Sequence, residues 1–201
     1  AAGAEADDLL AEGAAALVSL LTPLAILIIA ALGPFLHLWI GRDLGAAAAP
    51  VGYVLVGGFW VNSTAQLPYA FLESRGRPDL NAKLHLAYVV PYLTVLYFAL
   101  QTLGVLGAAA AWSLRSCFDP TLYALAGSFR RIVPSLAPGA VLVVLAMAAA
   151  LIFPWTSPVH WLLLAALFGL SLLLAVRLMP SSVRAQLRRL GSFIPATDRQ
   201  A

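Results

Sequence analysis

The sequence predicts an all-α fold, a polytopic integral membrane helical bundle of about six spanning helices. Three observations carry that prediction. Of the 201 residues, 62% are hydrophobic and only 10% are charged, with a mean hydropathy of +0.90, whereas a soluble domain carries about 25% charge. Six stretches each supply the roughly 20 apolar residues that a helix needs to cross a hydrocarbon core of about 30 Å. Between them lie short segments that gather the Gly, Pro, Ser and charge the stretches lack.

The six spans are 15–40, 47–72, 80–103, 105–129, 134–153 and 160–179. Backbone amides in lipid must be bonded inside a helix or a closed barrel. Segments of about ten residues alternating polar and apolar, the barrel signature, are absent, so each span reads as helix. An acidic segment, 1–14, precedes the first span. It begins AAGAEADDLLAEG, without an initiator Met, a basic n-region or a cleavage site, so it is read as part of a longer polypeptide and not as a signal peptide. A basic tail, 180–201, follows the sixth span. It is either a solvated end or a short surface helix with Val183, Leu187 and Leu190 toward lipid.

The connectors GRDLGA, ESRGRPDLNAK, QTLGVLG, SFRRIVPS and FPWTSPVHW differ in charge. Arg75, Arg77 and Lys83 lie in the second, Arg130 and Arg131 in the fourth, and Arg177, Arg184, Arg188, Arg189 and Arg199 at the end of the chain. The first holds only Arg42 beside Asp43, and the third and fifth hold no Lys or Arg. The positive-inside rule therefore puts both termini and the even connectors in the cytoplasm. An even number of spans independently requires the same.

Polar side chains within spans are costly, so their spacing is informative. Asn62, Gln66, Tyr69 and Glu73 fall at helical spacing in the second span, and Asn81, His85, Tyr88 and Tyr92 repeat it in the third. In the fourth, Trp112, Arg115, Asp119 and Tyr123 share one face. These stripes either line a shared aqueous cavity or hold helices together by hydrogen bonds worth about 1 kcal/mol each. Glu73, Asn81 and Lys83 also lie near span ends, where water solvates them. Arg115 sits about midway along its span, where insertion costs about 2.5–3.5 kcal/mol, and Asp119 one turn on can pair with it. The pair is either a packing feature or a cation facing an anionic cargo, since guanidinium suits phosphate.

His85 is a core residue or a proton relay, while His37, His160, Trp39, Trp155 and Trp161 sit at interfacial heights. With Cys117 alone, no intramolecular disulfide can form. No sequence pattern points to a metal, a cofactor, an enzyme active site or a nucleic acid. Pro23, Pro34, Pro68 and Pro91 interrupt the first three spans and Pro120 follows Asp119, a pattern expected to kink helices, as around transporter sites.

Taken in order, Leu38–Gly41, Ala65-Gln66-Leu67-Pro68-Tyr69, Gly76-Arg77-Pro78-Asp79-Leu80 with Lys83-Leu84-His85, and Gly104 to Ala109 leading to Trp112 and Arg115 resemble Wzx-type polysaccharide flippases. These belong to the multidrug/oligosaccharidyl-lipid/polysaccharide exporter superfamily. The likeness covers about 23–123. It implies a flippase that carries undecaprenyl-diphosphate-linked oligosaccharide across the bacterial inner membrane, with the polyprenyl tail in membrane lipid. Two lobes surround a cationic cavity in that family, and this chain would be most of the second. Its partners would be the first lobe of the same protein and the polysaccharide polymerase machinery. The resemblance further implies that Arg115 is a cavity cation held by Asp119, in a passage with Asn62, Gln66, Tyr69, Lys83, His85, Tyr88 and Tyr92. Arg75 and Arg77, with Glu73, would mark the cytoplasmic entrance. The rival readings are a drug/cation antiporter of the same superfamily, which should present an unpaired mid-span carboxylate, and a membrane-embedded glycan polymerase or ligase. The latter should carry a large outer loop, and the outer connectors here are short.

Overall fold

A computed structural model describes residues 2–125 and 132–179, with side chains described over 8–119 and 136–179. Arg130, Arg131 and the tail 180–201 lie outside the described residues, as does the side chain of Tyr123. All the described elements are helices: α1 (Ala2–Ile40), α2 (Arg42–Ser74), α3 (Pro78–Leu103), α4 (Val105–Leu125), α5 (Ile132–Ile152) and α6 (Pro158–Leu178). Four of them, α1, α2, α3 and α6, are long and apolar enough by length and composition to cross a membrane, and the described part of α5 is a shorter apolar helix. The result is an all-α membrane bundle.

The turns explain how helices this long can lie side by side. Gly41 alone separates α1 from α2, with φ 89°, and Gly104 alone separates α3 from α4, with φ 59°. Both are left-handed conformations that glycine adopts without a Cβ penalty, so the chain reverses in a single residue. The α2–α3 turn is Arg75–Arg77, closed by bonds from the Gly76 amide to the Glu73 carbonyl and from the Arg77 amide to the Leu72 carbonyl. At the start of α6, Ser157 caps the helix by accepting from the Val159 amide.

Helix α1 packs against α2, α5 and α6, and the fully buried Val18, Ile26 and Ile29 lie at its centre. Small residues let the rods approach. A Cβ on Gly139 of α5 would meet the Trp60 ring and Val18 at 2.7 Å and the Thr22 hydroxyl at 2.8 Å. The Trp60 indole N–H in turn donates to that Thr22 hydroxyl, 3.2 Å away and buried. The α3–α4 hairpin joins this core through α4, whose Ser113 hydroxyl donates to the Val54 carbonyl at 3.0 Å. Outward faces carry Leu27, Leu93, Leu162, Leu173 and Val176 in the open, as hydrocarbon-facing surfaces do.

Three features were not given by the spacing of residues. Helix α1 runs unbroken from Ala2, so residues 2–14 continue the same rod and bury Leu10 and Ala14. Pro23, Pro34, Pro68 and Pro91 all lie inside helices that continue past them; neighbouring groups in a packed bundle can satisfy the carbonyls that proline leaves free. His160 is wholly buried, with Nδ1 2.9 Å from the Phe153 carbonyl.

Candidate functional site

Part of the three polar stripes converges. Tyr69 lies one and a half turns from the end of α2, His85 and Tyr88 lie early in α3, and Arg115 and Asp119 lie in the later half of α4. Antiparallel neighbours bring these positions to the same depth of the bundle. The Tyr69 and His85 rings stack with centroids 5.3 Å apart and planes 5° from parallel. The Arg115 guanidinium stands 3.6 Å from the Asp119 carboxylate, and Tyr69 and His85 also interact with that carboxylate. Tyr88 interacts with Asp119, Tyr69 and Arg115. Asn81 supports the arrangement from the next turn of α3, its amide donating to the Tyr69 carbonyl at 3.4 Å.

Exposure separates the two members of the ion pair. The Asp119 side chain is 1% exposed, and that of Arg115 is 21% exposed. Neither carboxylate oxygen of Asp119, nor the Tyr88 hydroxyl, has a hydrogen bond of ordinary length among the described residues. A buried carboxylate without full hydrogen bonding is costly and depends on a nearby cation. Arg115 supplies that cation. Together with Tyr88, Tyr92, Pro91 and Phe118 it lines a cleft of about 170 Å³ between α3 and α4. A guanidinium carries a planar fork of donors suited to oxyanions, but this cleft is almost wholly apolar and the Tyr88 hydroxyl beside it is buried.

Other candidates stand apart from this cluster. Lys83 is exposed and pairs with Asp79 at 3.1 Å, and Arg77 approaches the same carboxylate at 3.7 Å. Arg75 lies over the Phe71 ring, 4.2 Å from its centroid, and Glu73 is exposed. These four residues gather at the α2–α3 turn, at the end of the bundle nearest the cluster. Asn62 is half-buried and Gln66 exposed, and no described contact joins either to it. They share a helical face with Tyr69, but no polar partner reaches them from the described residues of α3 and α4.

Sequence reasoning missed a larger cavity of about 530 Å³ at the opposite end of the bundle. It lies between the end of α1, the first half of α2 and the α5–α6 turn. Position in the sequence gives His37 and Trp155, which line it, only interfacial roles, and nothing in their spacing brings such distant segments together.

No protein-family model matches the chain, and no solved structure matches it. Over 90 residues the chain is 36% identical to the "Putative O-antigen transporter" of Shigella flexneri. That alignment covers 45% of this chain and 22% of the Shigella protein, so the chain is an all-α membrane bundle that resembles, over part of its length, a protein of that description.

Proposed function

We propose that this chain forms part of a bacterial inner-membrane transporter that flips lipid-linked oligosaccharide for surface polysaccharide synthesis. The carrying observation is the convergence of Tyr69, His85, Tyr88, Arg115 and Asp119 from three helices of a membrane bundle. The likeness to a protein described as an O-antigen transporter supports the same reading. In this account the glycan and its diphosphate pass along a polar seam while the polyprenyl chain, as in undecaprenyl-diphosphate-linked oligosaccharide, stays in lipid. Arg115 is the cation that meets the diphosphate, and Asp119 positions it. Arg75, Arg77 and Lys83 form the cytoplasmic approach, where their charge raises the local concentration of an anionic headgroup.

Helix α3 fits a second role in this reading. Asn81 is its only buried residue, and it presents Leu86, Val90, Leu93, Tyr97 and Phe98 outward. That face is suited to lipid on one side and to the other lobe of the transporter on the other. The exposure pattern favours an anionic cargo over a drug cation, because Asp119 is sealed while Arg115 remains accessible.

The test is an Arg115→Cys variant in a Cys117→Ser background, probed in cells with a membrane-impermeant thiol reagent. Labelling, together with loss of glycan export in Arg115→Glu, is the expected result. Protection from both sides with export intact would make Arg115 a buried partner of Asp119 and end the assignment.

A further inference from the structure

The cavity at the end of the bundle away from Arg75 and Arg77 is built as a binding site. Its volume of about 530 Å³ falls within the range of small-molecule sites. Tyr53, only 4% exposed, forms part of its wall, and its hydroxyl has no hydrogen-bond partner among the described residues. Trp155 faces it from the α5–α6 turn, and the His37 ring rests against the indole with centroids 5.3 Å apart. Gly33 lets the Tyr53 hydroxyl and the Trp155 ring pack closely against α1. A Cβ there would come within 2.8 Å of the Tyr53 hydroxyl and 3.1 Å of the Trp155 ring.

Arg42 stands at the mouth, exposed, and forms no ion pair among the described residues. The adjacent Asp43 cannot serve as partner, since side chains one residue apart on a helix do not face each other. Thr156 adds a second hydroxyl to the lining. The combination of a flat indole face, two hydroxyls and a free guanidinium has a specific chemical counterpart. Axial C–H groups of a pyranose pack on an indole, its hydroxyls bond to Tyr53 and Thr156, and a phosphate bonds to the guanidinium fork.

We infer that this cavity binds a phosphorylated pyranose. Tyr53 and Tyr69 are sixteen residues apart on α2, about 24 Å at 1.5 Å per residue. The cavity and the Arg115 cluster are therefore separate stations at two depths. A role as the release-side station rests on the transport reading above, whereas binding itself does not.

The experiment is titration calorimetry on the full chain in lipid nanodiscs, with N-acetylglucosamine 1-phosphate as the probe. Inorganic phosphate and N-acetylglucosamine are titrated separately. Binding of the sugar phosphate is expected to be tighter than either, and to weaken about tenfold or more in Arg42→Gln and in Trp155→Ala. Trp155→Phe, which keeps an aromatic face, should retain most of the affinity, and Gly33→Ala should lower it by displacing Tyr53 and Trp155. Unchanged binding in both Arg42→Gln and Trp155→Ala would overturn the inference, as would inorganic phosphate binding as tightly as the sugar phosphate. Displacement of the probe by a polyprenyl-diphosphate-linked sugar placed in the nanodisc lipid would assign the site to a lipid headgroup. Lack of displacement would assign it to a soluble sugar phosphate. Glycan export in Arg115→Glu cells is read in parallel, so loss of probe binding with Arg115-dependent export intact rejects this site alone. Probe binding with export independent of Arg115 rejects only the transport reading.

Discussion

Two regions of the bundle are put together differently. Helices α1, α2, α5 and α6 interlock through Gly139, Val18, Thr22 and Trp60, and their shared interior is largely apolar, with Thr22, Tyr53 and His160 among its buried polar groups. The α3–α4 hairpin leans on this core from one side and leaves nearly all of α3 uncovered. The polar cluster lies in the seam, with its ion pair on α4. Close packing confers rigidity, whereas a charged group needs a polar or hydrated neighbourhood. The comparison teaches that the core supplies stability and the hairpin supplies chemistry, so substitutions in the two regions should fail in different ways.

The largest effect should come from Arg115→Glu. It sets a second carboxylate beside the buried Asp119, and glycan export in a complementation assay should fall by about a hundredfold or more, as for like charges sharing a site. An export level near wild type would break the division of labour outright. Next is Gly139→Val in the core. The added atoms collide with α1 and α2 at once, and overpacking of this kind costs about 1–3 kcal/mol, seen as a lower melting temperature in detergent. Gly169→Ala is the matched control, because a Cβ there meets nothing within 4 Å, and its melting temperature should not fall.

A smaller loss sharpens the contrast. Thr22→Val leaves the buried Trp60 N–H without its acceptor, and interhelical hydrogen bonds in membranes are worth about 0.6–1.7 kcal/mol. Ser113→Ala removes the comparable tie between α4 and α2. If the hairpin is the more loosely held region, Ser113→Ala should speed proteolysis near α3 and α4 while leaving the melting temperature of the core unchanged. The smallest effect is expected from Lys83→Ala, since the Lys83–Asp79 pair is exposed and screened. Melting should be unaffected, and any change in export should grow as ionic strength falls.

Much of the fold was legible in the residues, and only part of the site. Spacing put Tyr69 with Asn62 and Gln66, and His85 with Tyr88 and Tyr92, because a helix repeats every 3.6 residues whatever surrounds it. It also placed Asp119 one turn from Arg115. Spacing could not say which members of a stripe would meet a neighbouring helix at the same depth. Tyr69 does so and Gln66 does not, although both lie on one face. Nor could it find the outer cavity, whose walls come from residues more than a hundred positions apart, Gly33 and Trp155 among them.

What the sequence by itself determined is the class of environment and the number of rods. Composition excludes a water-facing surface, and the backbone in lipid must form helices whatever the tertiary arrangement. The tertiary structure alone decided how those rods are rotated and paired. That choice depends on side-chain fit between segments far apart in the chain, such as Gly139 against Trp60 or Ser113 against the Val54 carbonyl. It is also what leaves Asp119 buried, Arg115 partly open and His160 sealed, because burial is a property of neighbours and not of the residue that is buried.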